Sequence, residues 1–119
     1  NSRARTALPE RVQANPFGLK HILGNVAEFC SDYYSEDILS QYTDGIKDPT
    51  GPVSGEEYVV KGGSFRDDAS KIRCASREPS QTAAWLKTDP QMPKSEWWYS
   101  DVVHVGFRVV CEFDSTNTN

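Results

Sequence analysis

The sequence predicts an α+β domain with little regular secondary structure, built mainly from antiparallel strands and long ordered loops. Three observations lead to this fold class. The 119 residues include 8 Gly and 7 Pro, spread along the chain, which leaves little room for long helices. Short runs of alternating apolar and polar residues lie in the C-terminal half, as half-buried strands require. The 3 Trp, 5 Tyr and 5 Phe supply large core side chains and argue against global disorder.

Three segments carry a strand pattern. Residues 105–113 have an apolar side chain at every odd position, which predicts a strand with one apolar face. Residues 58–61 contain an aromatic residue and two β-branched valines, which favour a strand, and are followed by Gly62 and Gly63. Residues 71–77 alternate in the same way. We therefore expect three strands in the C-terminal half.

A short helix and one long loop complete the expected elements. The helix is predicted at residues 37–41, with Asp37 or Ser35 as its N-terminal cap. Residues 78–103 contain three prolines and show no sustained period. The aromatic residues of this stretch are Trp85, Trp97, Trp98 and Tyr99. A loop of this length is expected to be functional or to be anchored by its own aromatic rings.

Charge and hydropathy exclude several classes of protein. Thirteen Lys+Arg against 17 Asp+Glu give a net charge of −4, so no nucleic-acid partner is expected. No run approaches the roughly 20 apolar residues of a membrane helix, so no transmembrane segment is predicted in this chain. No signal peptide is visible, and a start at Asn1 rather than Met indicates a processed or trimmed beginning.

The three cysteines, Cys30, Cys74 and Cys111, have no CxxC spacing, which disfavours zinc-finger and thioredoxin-type sites. Each lies beside apolar residues, as buried thiols do. The alternative is one disulfide plus one remaining thiol.

Five motifs resemble one known family in their order and spacing. They are Asn15-Pro16-Phe17-Gly18-Leu19, Leu23-Gly24-Asn25-Val26-Ala27-Glu28-Phe29-Cys30, Lys61-Gly62-Gly63-Ser64-Phe65, Arg73-Cys74-Ala75-Ser76-Arg77 and Val105-Gly106-Phe107-Arg108-Val109-Val110. Together they resemble the C-terminal half of the formylglycine-generating enzyme (sulfatase-modifying factor) domain. The resemblance implies a C-type-lectin-like fold. It assigns residues 1–14 to an N-terminal extension or loop, residues 15–113 to the half-domain and residues 114–119 to a flexible tail.

The founding activity of that family is the oxygen-dependent conversion of a sulfatase cysteine to formylglycine. The resemblance places the two cysteines that perform it between Phe65 and Cys74, where this chain has none. Carboxylates and amines do not replace the soft sulfur donors that copper or thiol–disulfide chemistry requires. The family's first motif also carries a tryptophan where this chain has Ala27. A pseudoenzyme that binds no copper is therefore expected.

The same resemblance implies a calcium site. Its four ligand positions correspond here to His21, Gly24, Val26 and Glu28. The Glu28 carboxylate and the carbonyls of Gly24 and Val26 suit calcium, whereas the imidazole of His21 does not. The alternative role for Glu28 is an ion pair with Arg77 or Arg108, or hydrogen bonding to loop amides.

Three other groups of residues bear on a possible binding or catalytic role. Trp97, Trp98 and Tyr99 could stack on a sugar or contact a protein, although two of the three rings are expected to anchor the loop. Asp67 and Asp68 are expected to form a solvated turn, because adjacent side chains diverge. Ser64 and His104 do not lie in a nucleophile-elbow motif, so a hydrolytic triad is not predicted.

These observations lead to one functional hypothesis and two alternatives. The hypothesis is a non-catalytic structural or binding module of a bacterial cell-envelope or secreted protein, such as a lipoprotein, in the periplasm, on the outer membrane or outside the cell. Its partners would be the N-terminal half of the same domain, without which this chain is not expected to fold, or another envelope protein. One alternative is a formylglycine-type oxidoreductase or other metal-dependent enzyme that uses residues outside this chain. The other is a lectin-like module that binds glycans.

Overall fold

The computed structural model describes residues 5–95 and 98–111. Its centre is a four-stranded sheet in the order β3-β2-β1-β4. The strands are β1 (Ala27–Tyr33), β2 (Tyr58–Lys61), β3 (Glu78–Pro79) and β4 (Val105–Gly106). β1 pairs with β2, and β2 with β3, in antiparallel orientation, whereas β4 lies parallel to β1.

Helix is scarce in the described residues. There is one α-helix, α1 (Thr82–Leu86), and the short 3-10 turns are Pro9–Arg11 and Ile38–Gln41. No helix among residues 5–95 and 98–111 has the length and apolar character needed to cross a membrane. A small mixed sheet with little helix confirms the predicted α+β class.

The apolar core lies under the central strands. Val59 and Val60 of β2 are buried, and Ala27 at the start of β1 is buried beside them. The ring of Phe29 packs edge-on against Trp85 of α1, with the ring centroids 5.8 Å apart. Ile38 completes the set of buried apolar side chains found in the described residues. The sheet and α1 are thus joined by one aromatic contact.

A buried polar network ties β2 to the beginning of α1. Ser80 is almost fully buried, accepts a hydrogen bond from the Tyr58 amide at 2.9 Å and donates its own hydrogen to Glu57. Thr82 donates its hydroxyl to the same Glu57 carboxylate at 2.9 Å, and its amide lies 3.2 Å from each carboxylate oxygen. Glu57 therefore serves as an acceptor for the first turn of α1, where Gln81 makes no side-chain cap.

The strand predictions are confirmed in part. The segment 58–61 is a strand, as predicted. The strand predicted at 105–113 is shorter in the structure, since among the described residues only Val105–Gly106 pairs with β1. Residues 112–113 are not among the described residues. The strand predicted at 71–77 is wrong, because local turns satisfy this backbone: the Lys71 amide bonds to Asp68 O at 2.9 Å and the Ser76 amide to Arg73 O at 3.0 Å.

The other local predictions also differ from the structure. The helix expected at 37–41 is the 3-10 turn Ile38–Gln41, with Asp37 at the cap position but no side-chain cap bond. The prediction of buried thiols is wrong for Cys74 and Cys111, which are exposed, while Cys30 is half-buried. Cys30 and Cys74 are free thiols, so the alternative of one disulfide plus one remaining thiol does not hold either.

Candidate functional site

The turn that follows β2 holds an aspartate in a fixed position. Gly62 and Gly63 adopt left-handed φ values of 84° and 67°, and a Cβ on Gly63 would lie 3.0 Å from the side chain of Ile72. The fully buried Ser64 then donates its amide and its hydroxyl to Asp67 Oδ2, at 2.8 and 2.7 Å. Burial alone would raise the pKa of Asp67, but these two hydrogen bonds lower it below its ordinary value. Asp67 is thus an ionised carboxylate whose Oδ2 accepts both hydrogen bonds.

A histidine from the other end of the chain lies near this turn. Arg66 Nη1 is 3.2 Å from Nδ1 of His104, and the His104 ring lies edge-on to Trp85 with centroids 6.1 Å apart. Burial and the charge of Arg66 lower the pKa of His104, outweighing the opposing charge of Asp67. Since a guanidinium only donates, Nδ1 is the acceptor and the neutral ring carries its proton on Nε2.

A small cavity of about 90 Å³ opens between this turn, β2 and α1. Its lining includes the neutral ring of His104, the indole of Trp85 and the carboxylate of Asp67. Lys61, Lys71 and Glu78 supply further charges of both signs. None of the described residues that line it is a cysteine. The cavity can therefore hold a small polar molecule, but its lining contains no thiol for nucleophilic or redox chemistry.

A larger cleft of about 600 Å³ lies on the sheet beside β1. Apolar side chains dominate it, and Cys30, Cys74 and the Glu28–Arg108 pair also line it. Burial raises the pKa of the Cys30 thiol, and the nearby Lys61 and Arg77 oppose this only in part. A protonated thiol is a poor nucleophile, so Cys30 is not an activated cysteine.

The residues of the predicted calcium site are only partly brought together. Both Glu28 oxygens accept hydrogen bonds from Arg108, which also donates to the carbonyl of Lys20 at 3.2 Å. The Nε2 atom of His21 lies 3.4 Å from the carbonyl of Leu8. With a guanidinium on both carboxylate oxygens, this arrangement does not fit a calcium ion. Nor do residues 5–95 and 98–111 contain a group of three His, Cys, Asp or Glu side chains suited to a metal.

The structure therefore places Glu28 in the alternative role, an ion pair with Arg108. Hydrogen bonding to Glu28 raises the pKa of Arg108, against the effect of burial. Arg77, the other arginine considered, is not the partner, and its buried Nε and Nη2 atoms have no hydrogen-bond partner among the described residues. Gly24 and Val26 lie just before β1. The Gly24 amide donates to the carbonyl of Gly62 at 2.8 Å, which ties the segment before β1 to the Gly62–Gly63 turn.

The loop that carries Trp97, Trp98 and Tyr99, here called the aromatic loop, is fixed by the buried Asp89. Asp89 accepts hydrogen bonds from the amides of Gln91 and Ser95 at 2.9 and 2.8 Å, and these bonds lower its pKa. Tyr99 packs edge-on against Trp85 with centroids 5.5 Å apart, so this ring anchors the loop. Trp98 is 54% exposed and is available for contact with a ligand. Trp97 lies outside the described residues.

Several site residues were not found by sequence reasoning. Lys71 and Trp85 line the small cavity only through the turn after β2 and the placement of α1. Arg66 does not line the cavity itself but contacts His104, which does. The prediction of a solvated turn at Asp67 and Asp68 holds only for Asp68, which is exposed, whereas Asp67 is half-buried and accepts hydrogen bonds from Ser64. Ser64 is buried and donates to Asp67, so it does not act as the nucleophile of a triad with His104.

Comparison with known proteins agrees with these motifs. Residues 1–88 match the sulfatase-modifying factor enzyme 1-like domain. The chain is 42% identical over 77 residues to the formylglycine-generating enzyme of Thermomonospora curvata, a stretch that covers 59% of this chain and 25% of that protein. It is 36% identical over 75 residues to the formylglycine-generating enzyme of Mus musculus, covering 60% of this chain and 19% of that protein.

A third relative carries a different name. The chain is 35% identical over 71 residues to the serine/threonine-protein kinase pkn1 of Chlamydia caviae, which covers 60% of this chain and 12% of that protein. The chain thus corresponds to a quarter or less of the length of each of these relatives. The match over residues 1–88 is more than half of the chain, and the chain belongs to the sulfatase-modifying factor enzyme 1-like family.

Proposed function

We propose that this chain is part of a non-catalytic, C-type-lectin-like member of the family that acts as a structural or binding module. One observation carries the proposal. The resemblance to formylglycine-generating enzymes implies two cysteines between Phe65 and Cys74, but this chain has none there. The segment instead carries Asp67, whose carboxylate accepts hydrogen bonds from the amide and the hydroxyl of Ser64. A carboxylate held in this way supplies neither a soft copper ligand nor an electron pair for disulfide exchange.

The remaining thiols do not substitute for the missing pair. Cys30 and Cys74 line the large cleft, whereas the Asp67 turn lines the small cavity. Cys30 is protonated at neutral pH because burial raises the pKa of its thiol. These features support binding rather than oxidation as the role of the chain.

The experiment that tests this proposal is a formylglycine assay. A peptide with the sulfatase recognition motif is incubated with the chain, with and without copper, and its mass is measured. The expected result is an unchanged cysteine. The formylglycine-generating enzyme of Thermomonospora curvata serves as the positive control. Conversion of cysteine to aldehyde above a protein-free control would overturn the proposal. Conversion by a longer form of the protein, and not by this chain, would favour the alternative enzyme that uses residues outside it.

One observation favours a second candidate function, glycan binding. Trp98 is exposed on a loop that Asp89 and the Tyr99–Trp85 contact hold in place, and a fixed exposed indole can stack on a sugar ring. Titration with soluble glucose and N-acetylglucosamine oligosaccharides, followed by tryptophan fluorescence, tests it. Saturable binding that is lost in Trp98→Ala supports glycan binding, and unchanged emission contradicts it.

The cellular setting that we propose is the bacterial periplasm, the outer membrane or the extracellular space, with the rest of the domain or another envelope protein as partner. Fractionation of the source bacterium with an antibody against the chain tests it, since recovery in the cytoplasmic fraction would contradict the proposal.

A further inference from the structure

Arg77 carries two buried nitrogens that lack an acceptor among the described residues. Its Nε and Nη2 atoms are buried, and neither has a hydrogen-bond partner within residues 5–95 and 98–111. A guanidinium stays protonated in proteins, so loss of its charge cannot relieve the burial. Because buried charges are normally paired and hydrogen-bonded, these two nitrogens indicate an anionic acceptor.

The two nitrogens form one edge of the guanidinium. On Arg108 the same edge, Nε together with Nη2, donates to both oxygens of the Glu28 carboxylate. Two parallel N–H groups in one plane match the two oxygens of a carboxylate. The corresponding edge of Arg77 therefore has the shape and the charge to bind a carboxylate.

A cleft of about 260 Å³ borders Arg77. It is lined by residues 34–36, which follow β1, and by residues 73 and 75–78, together with Leu39. Arg73 adds a second positive charge to the lining, and its Nε donates to the carbonyl of Ser70 at 2.9 Å. Arg77 as a whole is half-buried, so a rotation of its side chain can bring the Nε–Nη2 edge to the cleft. The cleft thus offers room for a small acidic group beside two guanidinium groups.

The acidic residues of this cleft do not satisfy Arg77. They are Glu36 and Glu78, and both are exposed. Neither forms an ion pair with Arg77 in the part of the chain that the structure describes. Cys30 is close enough for the charge of Arg77 to act on its pKa, but burial keeps this thiol protonated and neutral. The acceptor must therefore come from elsewhere.

We propose that Arg77 and the cleft beside it bind a carboxylate group, with Nε and Nη2 each donating to one oxygen. The carboxylate belongs either to a free small molecule or to an acidic side chain of the protein outside residues 5–95 and 98–111. The inference deepens the proposed binding role, on which it rests, by naming the chemical class that is bound. The formylglycine assay does not involve Arg77, so the two proposals can fail separately.

Nitrogen-15 NMR of the arginine Nε–H groups tests the proposal in the protein expressed from its complete reading frame. Two other arginines calibrate the signal, since Arg108 donates Nε–H to the Glu28 carboxylate and Arg11 is exposed. The Arg77 hydrogen should resonate downfield, near the position of Arg108 rather than that of Arg11. If it does so only after addition of sodium acetate, the carboxylate comes from a free molecule. If it does so without acetate, the protein itself supplies the carboxylate.

Substitution of the cleft residues identifies the acceptor. Glu36→Gln and Glu78→Gln should leave the Arg77 signal in place. Where acetate acts, Arg77→Lys should weaken the acetate response of the Ser76 amide by about 10-fold, because an ammonium lacks the paired nitrogens. Arg11→Lys is the matched control and should leave that response unchanged, since Arg11 lines a different cleft.

Three results would overturn the inference. The first is an Arg77 signal at the position of Arg11 both with and without acetate, because water then satisfies the edge. The second is a return of the signal to that position in Glu36→Gln or Glu78→Gln, because the acceptor is then a glutamate of the cleft. The third is a shift with inorganic phosphate but not with acetate, which would contradict a carboxylate.

Discussion

Arg108 binds both carboxylate oxygens of Glu28 with two adjacent nitrogens, across 80 positions of the sequence. The pair joins the first residues of β1 to the segment that follows β4, and the Nε–Oε2 distance is 2.7 Å. The side chains are only 33% and 20% exposed, so solvent screens the pair less than a surface salt bridge. A motif that the family resemblance associates with calcium is thus occupied by an internal cation.

The first prediction concerns the stability that this pair provides. Glu28→Gln keeps the shape of the side chain but removes its charge, so Arg108 loses its charge-assisted bonds. The free energy of unfolding, measured by urea titration, should fall by about 1–3 kcal/mol. Glu56→Gln, at an exposed glutamate, should change it by less than about 0.5 kcal/mol. Equal losses in the two variants would show that the pair contributes nothing specific.

The second prediction concerns calcium. A ligand that binds only the folded state raises stability by RT ln(1 + [L]/Kd), so a calcium site would raise the melting temperature at millimolar calcium. Because Glu28 is engaged by Arg108, we expect the same melting temperature with calcium and with chelator. A rise in wild type that disappears in Glu28→Ala would restore the calcium site that the sequence motif implies.

The third prediction is a pH dependence set by His104. Its pKa is lowered in the folded chain, so unfolding lets the ring take up a proton more readily. The resulting stability is present above the ordinary histidine pKa of about 6.5 and is lost as the pH falls from there through the folded-state pKa. Asp67, whose pKa is also lowered, acts in the same direction at more acidic pH, below about 3.9.

His104→Gln should therefore flatten the dependence of the unfolding free energy on pH between about 7 and 5. His21→Gln is the matched control, since the sequence contains 2 His and His21 lies far along the chain from His104. Urea titrations at several pH values give the slopes. An unchanged slope in His104→Gln would mean that the ring is as open to protonation in the folded chain as in the unfolded one.

The fourth prediction concerns the buried Ser80. Ser80→Ala leaves the Tyr58 amide without its acceptor and takes one donor from Glu57. An unsatisfied buried group costs about 1–3 kcal/mol, so the urea midpoint should fall by the corresponding amount. Ser54→Ala changes an exposed hydroxyl and should leave the midpoint unchanged. If the two variants unfold together, water replaces the lost hydroxyl at Ser80.

Residue patterns predicted a strand correctly where neighbouring residues alone determine the backbone conformation. The run Tyr58–Lys61 is β-branched at Val59 and Val60, ends at two glycines and forms β2. The stretch 71–77 has equally good alternation, but the amides of Lys71, Arg73 and Ser76 bond to carbonyls two or three residues away, as in turns. β1 was missed because its burial does not alternate: Phe29 and Cys30 are both half-buried.

The sequence indicated which residues of the site could interact, but not how they are arranged in space. Opposite charge was enough to name Arg108 as a candidate partner of Glu28, and the structure brings the two together. The approach of Arg66 to His104 depends on how the turn after β2 meets the edge of the sheet, which no local pattern encodes. The segment after Gly106 has the alternation of a strand in sequence, but among the described residues only Val105–Gly106 pairs, and Phe107, Val109 and Val110 are exposed.

The edge-on contact between His104 and Trp85 gives the chain an optical reporter of its own protonation. An imidazolium close to an indole quenches its fluorescence by accepting an electron from the excited ring, whereas neutral imidazole does so weakly. Trp85 also contacts Phe29 in β1 and Tyr99 in the aromatic loop. Its emission should therefore dim on acidification before the chain unfolds, and the dimming should be absent in His104→Gln. The charge state of one half-buried ring would then be visible in an ordinary fluorimeter.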